Sequence, residues 1–171
     1  MIPRFVPRNH PQQVATRGAL DSVDDRVTPE AMFREIDAEF RFTLDVAASP
    51  DNARCRRFFT RDQDGLSQSW AGETVWCNPP YSNIGAWVKK AIDEVRGGCR
   101  GVVLLIPGNR CEQAFWQDLV EPVRDRGLGI TTRFLRGRRH FDLPGKMVRR
   151  KEARPPFGLV LVIVEPRGKE D

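Results

Sequence analysis

The 171-residue sequence contains no apolar run near the roughly 18 residues that a membrane-spanning helix needs, so a chain threaded through a bilayer is not expected. Its first residues lack the basic-then-apolar pattern of a secretory signal. They are polar, contain Pro3, Pro7 and Pro11, and read as a flexible arm over residues 1–26. Histidine is scarce, with only His10 and His140, and none of Cys55, Cys77, Cys99 and Cys111 falls in a C-x-x-C pair. A zinc site is therefore not expected, no metal is assigned, and the cysteines read as reduced cytosolic thiols. Internal repeats and low-complexity tracts are absent. There is one tyrosine, Tyr81, and the turn after Asp45 lacks the G-x-G that cradles a nucleotide.

What is present suits a folded domain. Forty per cent of the residues are hydrophobic, enough for a core in one domain of this length. The net charge of +5 is unevenly spread. Residues 133–154 hold nine basic residues against Asp142 and Glu152, a local net of +7. Such a patch attracts phosphates and releases counterions when it binds them.

The spacing of apolar residues predicts alternating elements. Thr28 is a good helix N-cap and Pro29 suits the first helical position, ahead of Met32, Ile36 and Phe40 at four-residue spacing. A short strand follows over residues 41–46, and Phe58-Phe59 is a candidate strand. Residues 73–77 read as a buried strand that must stop at the double proline, which lacks ladder donors. Ile84, Trp87, Val88, Ala91, Ile92 and Val95 mark a second helix, ended by Gly97-Gly98. Residues 101–106 are a continuous apolar run, as in a strand covered on both faces. Asn109 and Glu112 resemble a capping box for a third helix, which Pro122 ends or kinks. Strands at 130–135 and 157–164 flank the basic segment 136–156. Alternation of this kind predicts an open α/β sheet, which binds ligands at the carboxyl ends of its strands. Asp45 and Asn78 both stand at such ends.

The chemistry resides in Asn78-Pro79-Pro80-Tyr81. An adenine amine is a poor nucleophile because its lone pair is delocalised into the ring. Two acceptors aimed at the amine hydrogens draw that lone pair out. The Asn78 side-chain oxygen and the Pro79 carbonyl, held rigid by Pro80, are the candidates, and Tyr81 offers a ring on which an extruded base can stack. Transfer to such a nitrogen needs positioning and a suitable field more than a strong base. Attack through cytosine carbon would need a thiolate, typically in a Pro-Cys turn, and none is present. Trp70, Trp76, Trp87 and Trp116 are read as core rather than as a stacking platform.

An ordered set of segments across residues 27–165 resembles the phage-type, Dam-like DNA adenine-N6 methyltransferases. These segments are Thr28-Pro29, the stretch from Phe42 through Asp45 to Ala48, Asn52-Ala53, Phe58-Phe59-Thr60, Asp64-Gly65-Leu66, Trp70, Trp76 through Tyr81, Trp87, the stretch from Leu104 to Pro107, the stretch from Arg133 to Arg138, and Pro156-Phe157. The resemblance implies a single-domain α/β, Rossmann-like S-adenosylmethionine-dependent sheet, somewhat reduced, with helices on both faces. It implies S-adenosylmethionine held by Thr28, Pro29, Asp45, Ala47, Asp64 and Asn78, and catalysis by Asn78, Pro79, Pro80 and Tyr81. Double-stranded DNA is the expected partner, gripped by Arg136, Arg138, Arg139, Lys146, Arg149, Arg150 and Lys151, with help from Arg54, Arg56 and Arg57. A monomer and a homodimer both stay open. The setting implied is the cytoplasm of a bacterial host, in a phage or prophage context of restriction evasion or timing of DNA functions.

Two departures from the wider pattern matter. The cofactor turn reads Ala47-Ala48-Ser49-Pro50 instead of G-x-G, and only about thirty residues separate Asp45 from Asn78, so the intervening strands must be short or missing. Asp64 reads equally as a turn residue. The same chemistry on an RNA adenine or a protein glutamine amide, and a catalytically lost DNA-binding module, are the alternative readings.

Overall fold

The computed structural model describes residues 27–137 and 157–167. Six strands form one mixed sheet: β1 (Leu44–Asp45), β2 (Arg57–Phe58), β3 (Thr74–Cys77), β4 (Gly101–Pro107), β5 (Ile130–Phe134) and β6 (Leu159–Val164), in the order β2-β1-β3-β4-β6-β5. The first four are mutually parallel. β6 runs antiparallel between β4 and β5, in register from Val102 opposite Val164 to Pro107 opposite Leu159. Every residue of β4 and β6 is buried. Their unbroken apolar sequences follow from that position, because a strand covered on both faces has no solvent side to carry polar residues. Helices flank the sheet: α1 (Glu30–Phe40) and α2 (Ile84–Arg96).

α1 buries Met32, Phe33 and Ile36, and the Phe33 ring meets Trp76 of β3 edge-on at 5.4 Å. α2 buries Ile84, Trp87, Val88, Ala91 and Val95, a single stripe at helical spacing. Trp70, Trp76, Trp87 and Trp116 are all buried, in line with their reading as core.

Several expected elements take a different form. Pro29, not Thr28, is the N-cap of α1, and no side chain caps it; the Pro29 carbonyl accepts the Phe33 amide at 3.0 Å. The strand expected at 41–46 shrinks to Leu44–Asp45. Arg41 takes a left-handed conformation to end α1, and the Phe42 amide donates to the Asp37 carboxylate at 2.7 Å, so neither residue joins the ladder. The candidate strand at Phe58-Phe59 lies one residue earlier, at Arg57–Phe58. The helix expected after Asn109 is largely a π-helical turn at Trp116–Val120, in which the Glu121 amide reaches back to the Trp116 carbonyl at 2.8 Å. The Asn109/Glu112 cap does not operate: Phe115 stands at its N-cap without a side-chain bond, and the Gln117 side chain takes the Cys111 carbonyl at 2.6 Å.

The topology locates the ligand edge. From β1 the chain moves outward to β2, whereas β3 lies on the other side of β1. Strand order reverses between β1 and β3, and the crevice beyond the carboxyl ends of that pair is where open α/β sheets bind ligands. Asp45 ends β1, and Cys77 leads from β3 directly into Asn78.

Candidate active site

β1 delivers Asp45 into an almost closed setting, with 3% of its surface exposed. One carboxylate oxygen accepts the Ala47 amide at 3.3 Å and the other accepts the Arg54 amide at 3.0 Å. Burial pushes the carboxyl up to about 6, and those two amides together with the Arg54 charge pull against that rise. The turn after β1 is therefore organised around a carboxylate that receives main-chain donors, the task that glycine-rich turns perform by bare backbone.

β3 delivers Asn78. Pro79 is buried, Asn78 and Pro80 are half-buried, and the Pro80 carbonyl accepts the Asn83 amide at 3.2 Å, which leads into α2. Two adjoining cavities meet at Asn78. The larger, about 320 Å³, is lined by Ala47, Asn52, Asp64, Leu66, Pro80 and Trp87, among others. The smaller is a recess of about 20 Å³ formed with Thr28, Asp45, Asn52, Arg54 and Trp76. The Thr28 hydroxyl and the Arg54 Nε are buried, and neither has a hydrogen-bond partner among the described residues. A cleft lined by both apolar and polar side chains, beside a small recess with unsatisfied polar groups, suits a ligand that joins a flat part to hydrogen-bonding groups.

The structure brings together Thr28, Asp45, Ala47, Asp64, Asn78 and Pro80 of the expected site residues. Pro29 lines neither cavity and serves the start of α1. Asp64 is a left-handed turn residue (φ 49°), as the turn reading expected, and its carboxylate accepts the Leu66 amide at 3.2 Å; it also lines the larger cavity. Tyr81 is 9% exposed, its ring edge-on to Phe157 at a centroid distance of 6.2 Å. A base could stack on its face only after local opening.

Arg136 is exposed. Arg138, Arg139, Lys146, Arg149, Arg150 and Lys151 lie outside the described residues, as do the arm at 1–26 and the end of the tail at 168–171. Arg133, part of the basic window, is held by both guanidinium nitrogens to the Glu39 carboxylate at 2.6 and 2.8 Å. Arg54 also turns inward, to Glu30 and the Thr28 carbonyl. Arg57 is bonded to Glu73, while Arg56 is exposed.

Sequence reasoning missed site roles for Asn52, Gly65 and Trp87. Asn52 lines both cavities, and its side-chain Oδ1 accepts the Ser49 amide at 2.6 Å, shaping the turn after β1. Gly65 approaches the Val46 backbone so closely that a Cβ would lie 2.1 Å from the Val46 carbonyl oxygen. The Trp87 helical spacing marked it as core, and it is, but it also forms a wall of the cleft. Asp64-Gly65 carried a signal for a turn, and Asn52 and Trp87 fell within the resembling segments without a site role.

Burial favours the protonated form of the thiols near the site. Cys77 is fully buried and its thiol is held well above the usual range by burial and by the neighbouring Asp45. Burial, with Asp45 and Asp37 nearby, pushes Cys55 up to about 12. Among the described residues, no group of His, Cys, Asp and Glu could hold a metal ion, and no helix is long and apolar enough to cross a membrane.

A family model described as DNA N-6-adenine-methyltransferase (Dam) matches residues 17–169. A protein named DNA N-6-adenine-methyltransferase from Escherichia phage T1 is 34% identical over 70 residues, covering 40% of this chain and 29% of that protein. One of the same name from Haemophilus phage HP1 (strain HP1c1) is 35% identical over 81 residues, covering 46% of this chain and 47% of that one. The match thus spans less than half the length of either relative.

Proposed function

The chain belongs to the DNA N-6-adenine-methyltransferase (Dam) family, and from that premise we propose that it transfers a methyl group from S-adenosylmethionine to the exocyclic N6 amine of adenine in double-stranded DNA. The observation that carries the reading is the meeting of Asn78 and Pro80 with Asp45 around two adjoining cavities at the reversal of strand order. We read the sheet as a reduced Rossmann-like methyltransferase sheet in which β1 and β2 are cut to two residues each.

The donor supplies an electrophilic methyl group when bound. Thr28, Asp45, Ala47, Asp64 and Asn78 hold it, and we add Asn52 and Trp87 to that set. The walls at Leu66 and Trp87 suit its flat base, and the small recess at Thr28 and Asp45 has room for one of its polar groups. Asn78 and Pro79 accept the two amine hydrogens of the adenine, so that the nitrogen lone pair turns out of the ring. Pro80 keeps the Pro79 carbonyl from rotating away. The target base leaves the duplex stack, at a cost of a few kcal/mol, and is received against Tyr81 once the Phe157 edge gives way. Arg136 and the basic residues up to position 156 neutralise phosphates. The reaction needs no cysteine, in keeping with the raised thiols around the site.

The test is transfer of labelled methyl from S-adenosylmethionine to unmethylated duplex DNA, followed by nucleoside analysis. N6-methyladenine is expected. Label in RNA or protein but not in DNA would replace the substrate, and failure to bind the donor would replace the enzyme reading with a DNA-binding one.

A further inference from the structure

Arg54 sits three residues from Arg57 in a basic run, which gives it the look of a phosphate contact. Its surroundings tell otherwise. Its side chain is 14% exposed, against 65% for Arg57. Its amide donates to the Asp45 carboxylate at 3.0 Å. Its Nη1 pairs with Glu30 Oε2 at 2.6 Å, and its Nη2 donates to the Thr28 carbonyl. The carboxyl end of β1, the first turn of α1 and the residues just before that helix are thus joined through one side chain and its own amide. Glu30 is steadied in turn by Arg34 at 2.8 Å. No side chain caps α1, so this guanidinium is a side-chain tie on the lead-in residues from outside the helix, beside the β-bridge at Val27.

What it fixes is Thr28, which is 2% exposed and lines the polar recess together with Asp45 and Asn78. The Thr28 hydroxyl has no hydrogen-bond partner among the described residues. The recess holds about 20 Å³, room for one water-sized polar group. A buried hydroxyl kept in such a place without a partner suits a ligand group that completes it.

We infer that Arg54 is a positioning residue of the ligand cleft: it latches residues 28–30 onto the Asp45 end of β1 and so keeps the Thr28 hydroxyl in the recess that receives the polar end of the donor. The inference rests on the reading that the donor occupies this cleft. Arginine is suited to the task because its planar fork spans a carboxylate and a carbonyl at once, which lysine cannot do.

The experiment compares the full-length wild type with Arg54→Ala, Arg54→Lys and Glu30→Gln. Binding of S-adenosylhomocysteine is measured by calorimetry, amide hydrogen exchange along residues 28–40 by mass spectrometry, and DNA affinity as a function of salt. In Arg54→Ala, binding of the nucleoside is expected to weaken about tenfold or more, as removal of a charge-assisted double hydrogen bond implies. Exchange should rise in the first turn of α1 but not in β3 and β4, and the salt slope for DNA should stay at the wild-type value. Arg54→Lys should recover part of the affinity. Wild-type exchange and nucleoside affinity in Arg54→Ala, with a salt slope reduced by about one, would overturn the inference and make Arg54 a phosphate contact. If Arg54→Ala does not fold, Glu30→Gln decides: it should weaken nucleoside binding and loosen the same turn, and wild-type behaviour in both refutes the latch. A wild-type protein that fails to bind the nucleoside defeats the donor reading, while the exchange comparison still judges the latch.

Discussion

Asn78 and Asp45 stand close together, yet their environments set them different tasks. Asn78 is half-buried and lines both cavities, where a neutral carboxamide can present an acceptor without titrating. Its replacement by alanine should lower single-turnover methyl transfer at saturating donor by on the order of 10²-fold or more, by analogy with the loss of one preorganised polar group elsewhere. The melting temperature should hold, because the side chain is not part of the core. Full turnover in Asn78→Ala would remove it from catalysis. Asp45 does titrate. Burial raises its carboxyl from 3.8 to about 6. The folded, ligand-free protein therefore binds more protons than the unfolded chain between about pH 4 and pH 6, and stability falls as pH rises through that window before levelling. Asp45→Asn lacks this titration, so its melting temperature relative to wild type should climb across the window and then stay constant. A difference that is flat throughout would mean that Asp45 titrates in the fold as it does in the unfolded chain.

Among the elements, the loop between β2 and β3 has a geometry that depends on a single missing atom. Gly65 passes against the Val46 carbonyl and the Trp87 ring, and its own carbonyl accepts the Trp70 indole N–H at 3.0 Å. A methyl group there must displace backbone at the ligand end of β1. Gly65→Ala should cost roughly 1–3 kcal/mol in urea unfolding, the usual range for overpacking. Gly72→Ala is the contrast: φ is +77° but nothing lies within 4 Å of the added carbon, so only the left-handed strain of about 1–2 kcal/mol applies. The two differ more sharply in the cleft. Gly65→Ala should weaken S-adenosylhomocysteine binding and Gly72→Ala should leave it unchanged, and equal binding in both would show that the Gly65 approach does not shape the site.

For the whole molecule, the count of 28 basic residues overstates what is free to meet a polyanion. Arg133 is engaged by Glu39 and Arg54 by Glu30, both within the fold. Arg136 and the exposed Arg56, with the basic residues that follow Arg136 in the sequence, are the further candidates. Replacing Arg149, Arg150 and Lys151 with alanine should lower the slope of log affinity for duplex DNA against log salt by about 0.9 for each phosphate no longer neutralised. Binding titrations over a salt series measure this directly, and an unchanged slope would move the DNA interface elsewhere on the molecule.

The sequence by itself determined whatever depends on local pattern. The helical stripes of α1 and α2 and the unbroken apolar runs of β4 and β6 were legible because burial imposes a period, or its absence, on neighbouring residues. Asn78 and Asp45 were legible because each ends such a run. Local signals misled where tertiary bonds overrode them: Thr28 looked like a cap and is a wall of the recess, and Asn109 looked like a helix start where Gln117 and Trp116 bond otherwise. Only the tertiary structure decided that β6 inserts between β4 and β5, that Asn52 and Trp87 share a cleft, and that Arg54 faces inward while Arg56 faces out. Those outcomes rest on contacts between residues far apart in the chain, and no spacing within a single segment encodes them.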